Sequence, residues 1–266
     1  MNRPDSPSIA LPLSGEERYR MTVSYDGAPF HGFAKNPGVD TVEGLLAQTI
    51  NKVLGKIPLL TCAGRTDAGV HAKAQVVSFD AVPFDTKKIL KSLNKLCSPH
   101  VVVTSIEKTS DNFSARFSAK SRTYRYQVLN QENPDPFLAR YSWHVRAPIS
   151  IEKMNAAGQK LIGEHDFSSF CRKRIIEIGG NQVVASLMRE VQSLRWEEAD
   201  GNLLELWITA NAFCHQMVRS ITGTLVDIGT GKISQSSILG ILEAHDRNSA
   251  GQVAPPHGLT LWKVTY

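Results

Sequence analysis

The sequence predicts an α+β fold built from two similar halves, each with the element order β-α-β-β-α-β. Segments of alternating apolar residues are interspersed with segments whose apolar residues recur every three or four positions. This order occurs twice along the 266 residues. Strands that follow each other with no helix between them pair antiparallel, which argues against a doubly wound parallel sheet.

The first half can be assigned element by element. The strand Tyr19–Tyr25 alternates apolar and polar residues and ends at the turn Asp26-Gly27. The next helix, capped by Thr41, has apolar residues at helical spacing over Val42–Leu54. The remaining elements are a short strand at Ile57–Ala63, a loop at Gly64–Lys73, a short strand at Gln75–Phe79, a helix capped by Thr86 and a strand at Val101–Glu107.

The second half repeats this order with longer connections. Its central hairpin is predicted by Asp200-Gly201-Asn202, a turn sequence between two alternating segments. The elements are, in order, a strand at Ser121–Leu129, a helix at Ile151–Ile162, strands at Glu190–Glu198 and Leu203–Ala210, helices at Phe213–Ile228 and Ser236–His245, and a strand at Leu259–Tyr266.

This order is that of two ferredoxin-like domains. Joined edge to edge, their sheets would form one extended, mainly antiparallel sheet, with helices on one face and an RNA-binding cleft on the other. We therefore expect a flexible tail at 1–18, an N-terminal domain at 19–112, and a C-terminal domain at 113–266 with an insertion near 172–186.

The composition is that of an ordinary globular chain, with 42% hydrophobic and 21% charged residues. The net charge of +5 fits a nucleic-acid partner without requiring one. No segment approaches the roughly 18 apolar residues of a membrane span, so we expect no membrane partner. The scattered cysteines predict reduced thiols in a cytoplasmic protein, rather than a zinc ribbon or a disulfide framework. They are Cys62, Cys97, Cys171 and Cys214.

The densest group of reactive side chains lies in the loop Ala63–Ala72, where glycines flank Arg65, Asp67 and His71. Glycines allow a ligand to approach the backbone closely. The same pattern also fits a polar turn in which Asp67 accepts hydrogen bonds from nearby backbone N–H groups. Two ligands, Asp67 and His71, are too few to predict a metal site.

Two further segments carry functional candidates. In Phe213–Gly223, Arg219 lies beside an apolar stripe, and a buried arginine there would require a carboxylate partner. In Arg116–Tyr126, arginines and aromatics interleave, so the rings can stack on bases while the cations neutralise phosphates. The alternative for Arg116–Tyr126 is a solvated strand face whose tyrosines pack inward.

Together these segments resemble the tRNA pseudouridine synthase A family. Gly64–Ala72 matches its active-site signature, and Arg116–Tyr126 matches its R-F-x-A-x-x-R-x-Y-R-Y stretch. Phe213–Arg219 matches its arginine-bearing helix, and Ala254–Leu259 matches its A-P-x-x-G-L ending. The resemblance extends over Tyr19–Tyr266 and keeps the family's order.

The resemblance implies the isomerisation of uridine to pseudouridine at nucleotides 38, 39 and 40 of the tRNA anticodon stem–loop. It implies a homodimer that uses no cofactor and no metal. Asp67 corresponds to the catalytic aspartate, Tyr124 to the tyrosine beside the target uracil, Arg65 to the arginine that helps to displace that base, and Arg219 to the arginine that pairs with the aspartate. The sequence departs from the family at Asn36 and in the length of 172–186.

Other functions remain open at this stage. They are a pseudouridine synthase that acts on a different RNA, a non-catalytic RNA-binding module, and a metal-dependent hydrolase that uses Asp67, His71 and His215. The residues also leave two roles for Asp67, as a nucleophile or as a base on the ribose.

Overall fold

The computed structural model describes residues 9–172, 175–178 and 181–266, with only the backbone for 175–178 and 181–184. The chain divides into two compact units, one of residues up to Lys120 together with Leu261–Tyr266, the other of Ser121–Thr260. The boundary expected between residues 112 and 113 stays a prediction. Of the expected tail, residues 1–8 lie outside the described part, and the first strand begins at Glu17.

The secondary structure follows the predicted alternation, and the α+β class with a mainly antiparallel sheet is confirmed. The helices of the described residues are, in chain order, α1 (Val42–Leu54), α2 (Thr86–Cys97), α3 (Ile151–Gly158), α4 (Met217–Gly229) and α5 (Ile238–Glu243). The strands are β1 (Glu17–Tyr25), β2 (Thr61–Cys62), β3 (His71–Ala81), β4 (Val101–Lys108), β5 (Ser121–Leu129), β6 (Trp143–His144), β7 (Gly163–Asp166), β8 (Ile175–Ile178), β9 (Asn181–Val184), β10 (Met188–Ala199), β11 (Leu203–Ala210) and β12 (Leu259–Thr265).

The sheet of the first unit has β1 between β4 and β3, with both pairs antiparallel. The short strand β2 also pairs with β3, and β12 is hydrogen-bonded to β3 within the same sheet. Buried residues alternate along β1, where Tyr19, Met21, Val23 and Tyr25 all face the core. This alternation is what the sequence predicted for a strand with one buried face.

The N-terminal cap agrees with the prediction in one helix of the first unit and differs from it in the other. Thr41 caps α1 as predicted, its hydroxyl accepting a hydrogen bond from the Gly44 N–H at 3.2 Å. The prediction that Thr86 caps α2 is wrong, because Thr86 is already helical and Asp85 is the cap. The Asp85 carboxylate accepts two backbone N–H bonds, which satisfies more of the helix end than one hydroxyl can.

The strands that flank the reactive loop also differ from the prediction. Of the expected strand Ile57–Ala63, only Thr61–Cys62 pairs with β3, and Leu59 is 86% exposed. Pro58 has no N–H to donate to a neighbouring strand, which explains why pairing begins beyond it. The second strand is longer than expected, because β3 begins at His71 instead of Gln75.

The second unit has its strands in the order β5-β11-β10-β7, all antiparallel, with β6 parallel to β5. The predicted hairpin is confirmed, since Gly201 and Asn202 have positive φ angles of 71° and 60°. Within the expected insertion, β8 and β9 form a separate antiparallel pair. Residues 173, 174, 179 and 180 of this insertion lie outside the described part.

The helix α4 starts four residues later than the prediction of Phe213. Gln216 has a φ of 66°, in the left-handed region, so the helix cannot extend back through it. His215 and Gln216 therefore precede the helix and do not share a face with Arg219. Every residue of α4 except Arg219 is buried. The helices predicted at Ile151–Ile162 and Ser236–His245 are shorter, and a 3-10 turn flanks each.

The expectation of reduced thiols is wrong for one pair of cysteines. Cys171 and Cys214 are joined by a disulfide, and their Cα atoms are 5.9 Å apart. Cys62 and Cys97 are free thiols. The two bonded residues are 43 positions apart in the chain, so their spacing along the sequence gave no sign that they would meet.

Candidate active site

The loop of residues 63–70 connects β2 to β3 and carries Arg65 and Asp67. Between these two residues, Thr66 is buried, whereas Arg65 is exposed and Asp67 is half-buried. The loop thus turns Thr66 towards the core and leaves its two flanking functional side chains accessible. This is the arrangement that a side chain needs to reach a bound substrate.

Three hydrogen bonds from neighbouring elements hold this loop. The Tyr25 hydroxyl on β1 lies 2.8 Å from the Thr66 hydroxyl. The Phe33 N–H donates to the Thr66 carbonyl at 3.0 Å, and the Gln75 side-chain amide on β3 donates to the Gly64 carbonyl at 2.7 Å. β1, the segment that follows it and β3 therefore fix the loop on both sides of Arg65.

Two glycines between β1 and α1 allow this close approach. A Cβ atom on Gly27 would lie 2.0 Å from the Val70 carbonyl oxygen, which real Cβ atoms never do. Gly32 has a φ of 93°, and its Cβ would lie 2.8 Å from the Thr66 carbonyl oxygen. Only glycine fits at these positions without moving the backbone of the loop.

The His71 side chain contacts polar groups at the end of β1 and in the turn that follows. Its Nδ1 atom accepts a hydrogen bond from the Gly27 N–H at 3.0 Å and lies 3.1 Å from a carboxylate oxygen of Asp26. The side chain is buried. His71 therefore contributes to the packing of the loop onto the end of β1.

The neighbouring thiol is not a nucleophile at neutral pH. Burial raises the pKa of Cys62 to about 11, and the negative charge of Glu43 acts in the same direction. The positive charge of Arg65 opposes the increase without cancelling it. Because a protonated thiol is a poor nucleophile, Asp67 is the better candidate in this loop.

In the second unit, Tyr124 lies on β5 opposite Ile208 of β11. It is 7% exposed, and its ring packs edge-to-face on Phe213 with the ring centres 5.1 Å apart. Phe213 belongs to the segment that leads into α4. The aromatic pair therefore connects the candidate tyrosine to the start of the arginine-bearing helix.

Arg219 is fixed by the segment that carries the A-P-x-x-G-L motif. Its Nε–H donates to the Ala254 carbonyl at 2.7 Å, and the Ala254 N–H donates to the Arg219 carbonyl at 3.1 Å. One turn further along α4, a Cβ atom on Gly223 would lie 1.9 Å from the Gln252 carbonyl oxygen. The helix and the segment before β12 are thus in direct backbone contact.

The same motif packs on Tyr126. The Tyr126 hydroxyl donates to the Pro255 carbonyl at 2.8 Å, and a Cβ atom on Gly258 would lie 2.6 Å from the Tyr126 ring. Burial raises the pKa of Tyr126, while the nearby positive charge of Arg219 acts to lower it. Burial also lowers the pKa of His257, and Arg219 adds to that effect. Sequence reasoning recognised this motif but not its structural partners.

The interleaved arginines and aromatics of Arg116–Tyr126 do not all face outward. Tyr126 is completely buried, and Arg122 is buried and donates to the Asn211 carbonyl at 2.7 Å. Arg125 forms a 3.2 Å ion pair with Glu205. Tyr126 packs inward, as the alternative of a solvated strand face expected, whereas Arg122 and Arg125 are not solvated as that alternative expected, because each has a structural partner within the unit.

The predicted residues thus fall into two pairs, one in each unit. Arg65 and Asp67 share one loop of the first unit, and Tyr124 and Arg219 lie on neighbouring elements of the second. Sequence reasoning missed Tyr25, Thr66 and Gln75 as the residues that hold the loop. For Tyr25 and Gln75 the only available signal was a polar group on the same strand face as apolar residues, and Thr66, between Arg65 and Asp67, gave none. In the part of the chain that the structure describes, no group of three or more His, Cys, Asp or Glu side chains is placed to hold a metal ion.

Comparison with known proteins assigns the chain to a family. Residues 157–266 match the family described as tRNA pseudouridine synthase. Proteins named tRNA pseudouridine synthase A from Bacillus velezensis and Bacillus subtilis are each 40% identical over 254 residues, covering 94% of this chain and 99% of the relative. The one from Brevibacillus brevis is 38% identical over 255 residues, covering 94% of this chain and all of the relative.

These matches define a pseudouridine synthase, an isomerase that converts uridine to pseudouridine. At this identity and coverage, the chain belongs to the tRNA pseudouridine synthase A family, which confirms the resemblance seen in the sequence. A solved structure titled "Crystal Structure of a Cbf5-Nop10-Gar1 Complex" aligns over 91% of this chain and 48% of its own, with 14% identity and a TM-score of 0.30, which is too low to compare the folds. Among the helices of the described residues, none has the length and apolar character needed to span a membrane.

Proposed function

We propose that this protein isomerises uridines 38, 39 and 40 in the anticodon stem–loop of tRNA, with Asp67 as the catalytic residue. The observation that carries the proposal is the loop of residues 63–70, which buries Thr66 and leaves Arg65 and Asp67 accessible. The relatives' shared name, tRNA pseudouridine synthase A, supports tRNA as the substrate.

The reaction conserves every atom of the substrate. The bond between C1′ and N1 breaks, a bond between C1′ and C5 forms, the proton on C5 is lost, and N1 gains a proton. There is no net oxidation or reduction, so the stoichiometry requires no cofactor. Asp67 acts either as a nucleophile on the ribose or as a base that removes a ribose proton, and both roles need an ionised carboxylate.

The roles of the remaining candidate residues follow from the family resemblance. A base in the stem–loop has to leave its stack before it can react, at a cost of a few kcal/mol. Arg65, which is exposed beside Asp67, fills the vacated space. By the family resemblance, Tyr124 corresponds to the tyrosine beside the displaced uracil, and Arg219 to the arginine that pairs with the catalytic aspartate.

The protein acts as a homodimer that binds one tRNA across both subunits, in the cytoplasm, where its substrate is made. The family resemblance supports the dimer, and the net charge of +5 suits a polyanionic partner. The measured molar mass in solution and its dependence on protein concentration test the dimer directly.

The decisive experiment measures pseudouridine formation in unmodified tRNA that has a uridine at nucleotide 39. Asp67→Asn preserves the shape of the side chain and removes its charge, so we expect it to bind tRNA and form no detectable product. Asp40→Asn is the matched control, because Asp40 is an exposed aspartate of the same unit. It is expected to retain wild-type turnover.

Each other result contradicts a specific part of the proposal. Turnover by Asp67→Asn at the wild-type rate would show that the catalytic aspartate is a different residue. Wild-type protein that binds this tRNA without modifying it would favour another RNA substrate, or a role in binding alone. Loss of wild-type activity on treatment with a chelator would instead favour the metal-dependent alternative.

A further inference from the structure

The structure assigns a positioning role to Tyr25: we infer that its hydroxyl, through Thr66, holds Asp67 in the geometry that the reaction requires. This inference rests on the proposed function, because it takes Asp67 as the catalytic residue. Tyr25 is not a catalytic residue in this account, since it acts only through its neighbour in the core.

Tyr25 is the last residue of β1 and is 4% exposed. Its hydroxyl oxygen lies 2.8 Å from the Thr66 hydroxyl and 3.5 Å from the Gln75 side-chain nitrogen. Gln75 is itself completely buried. The three polar side chains therefore form one buried cluster, in which a hydroxyl that loses its partner is left unsatisfied.

The donors and acceptors in this cluster can be assigned. The Gln75 nitrogen can only donate, and it donates to the Tyr25 oxygen and to the Gly64 carbonyl. The proton of Tyr25 is then available for the Thr66 oxygen. Burial raises the pKa of Tyr25 well above its ordinary value, so the phenol keeps this proton throughout the neutral range.

Thr66 is held at its backbone as well as at its side chain. Its carbonyl accepts the Phe33 N–H at 3.0 Å, and Gly32 lies directly against it. This carbonyl belongs to the planar peptide bond that leads into Asp67. On the other side, the Asp67 carbonyl accepts the Val70 N–H at 3.1 Å. The backbone is thus fixed on both sides of the catalytic residue.

The first strand contains a natural control for this role. Tyr19 lies on the same face of β1, is 2% exposed, and donates its hydroxyl proton to Glu17 at 2.9 Å. Tyr19→Phe therefore removes the same atom from the same strand as Tyr25→Phe. The difference that matters for the test is that Tyr19 bonds to Glu17, at the opposite end of the strand from the reactive loop.

The test compares turnover of tRNA, Michaelis constant and melting temperature for five variants. Tyr25→Phe and Thr66→Val are expected to lower kcat by about ten- to a hundredfold, the loss that a small misplacement of a reacting group causes. Their KM for tRNA is expected to stay within about twofold of the wild-type value, because the lost interaction is not a substrate contact. Thr66→Ser, which restores the hydroxyl, is expected to recover most of the kcat lost in Thr66→Val.

The remaining comparisons decide between positioning and simple stability. Tyr19→Phe is expected to keep the wild-type kcat even where its melting temperature falls as far as that of Tyr25→Phe. The double variant Tyr25→Phe/Thr66→Val is expected to be no slower than the slower single variant, because both substitutions break one interaction. If Tyr25→Phe does not fold, the contrast between Thr66→Ser and Thr66→Val decides the question alone.

Three results would overturn the inference. They are a wild-type kcat in Tyr25→Phe or Thr66→Val, an equal loss in Tyr19→Phe, or a higher KM with kcat unchanged. Asp67→Asn is assayed in parallel. An inactive Asp67→Asn beside a fully active Tyr25→Phe rejects only the positioning role, whereas an active Asp67→Asn rejects the proposed function and the inference together.

Discussion

The loop of Asp67 and the helix of Arg219 hold their functional side chains by different means. Side-chain groups hold the loop, since the Tyr25 hydroxyl and the Gln75 amide bind Thr66 and Gly64. The helix is held by backbone contact, since the Ala254 N–H donates to the Arg219 carbonyl and Gly223 lies against the Gln252 carbonyl. Both regions contain close glycine contacts, but only the first also has a cluster of side-chain hydroxyls from which single polar atoms can be deleted.

This difference predicts how each region responds to substitution. Removing a hydroxyl from the loop costs one hydrogen bond of about 1 kcal/mol and leaves the core intact, so activity is affected more than stability. Adding an atom to the packed region forces the backbone apart, so stability is affected first. The two regions can be compared directly by introducing the same methyl group in each.

Gly223→Ala is expected to have the larger effect on stability. The new Cβ would lie 1.9 Å from the Gln252 carbonyl oxygen, and a backbone atom cannot rotate away as a side chain can. We expect a loss of about 3 kcal/mol or more in the free energy of unfolding, measured by denaturant titration.

Gly32→Ala is the matched substitution in the loop. Its Cβ would lie 2.8 Å from the Thr66 carbonyl oxygen, and the positive φ of 93° adds backbone strain. We expect a loss of about 1–2 kcal/mol in the free energy of unfolding. We also expect kcat to fall by more than the increase in the unfolded fraction of the protein can explain. The comparison fails if Gly32→Ala is the less stable of the two proteins, or if it retains wild-type kcat.

Arg219→Lys comes next in expected size. A lysine ammonium is a single point donor and cannot reproduce the planar guanidinium that binds the Ala254 carbonyl through Nε. We expect kcat on tRNA to fall by about tenfold or more, with a loss of about 1–2 kcal/mol in unfolding free energy. Lys232→Arg, a change of the same size at an exposed site of the same unit, serves as the control.

Turnover by Arg219→Lys at the wild-type rate, with the stability unchanged, would remove Arg219 from the site. A loss of stability without a loss of rate would make it a purely structural residue. Parallel measurement of kcat and unfolding free energy separates these two results.

The sequence predicts the elements well where local patterns determine them. β5 and β11 have the predicted bounds, and Thr41 caps α1, because strand alternation and capping are properties of neighbouring residues. The start of α4 could not be predicted in the same way. It depends on the positive φ of Gln216, a residue type that rarely adopts this conformation, so only the surrounding structure accounts for it.

The candidate site shows the same division. Arg65 and Asp67 could be placed in one loop because they are two residues apart between two short strands. Tyr25 and Gln75 could not be assigned to the loop, because Tyr25 comes from a distant strand and the roles of both depend on burial and on hydrogen bonds formed only after folding. Arg219 donates to a backbone carbonyl 35 residues away. Every residue type has such a carbonyl, so the sequence does not indicate which one Arg219 binds.

The smallest expected effect concerns pH and the packed region around Arg219. Burial lowers the pKa of His257 below its ordinary value of 6.5, and the positive charge of Arg219 adds to this effect, while a backbone hydrogen bond to Ser142 opposes it. The unfolded chain therefore takes up a proton at His257 more readily than the folded chain. The stability linked to His257 is complete above about pH 6.5 and is lost as the pH falls through the lowered folded-state pKa.

We therefore expect the melting temperature of the wild-type protein to fall between pH 7 and pH 5 by more than that of His257→Gln. His31→Gln, which changes an exposed histidine of the first unit, is the control and is expected to follow the wild-type curve. Identical pH profiles for wild type and His257→Gln would show that the proton uptake lies elsewhere. A profile altered by His31→Gln instead would place the pH-sensitive group in the first unit, and the packed region of the second unit would then be insensitive to pH.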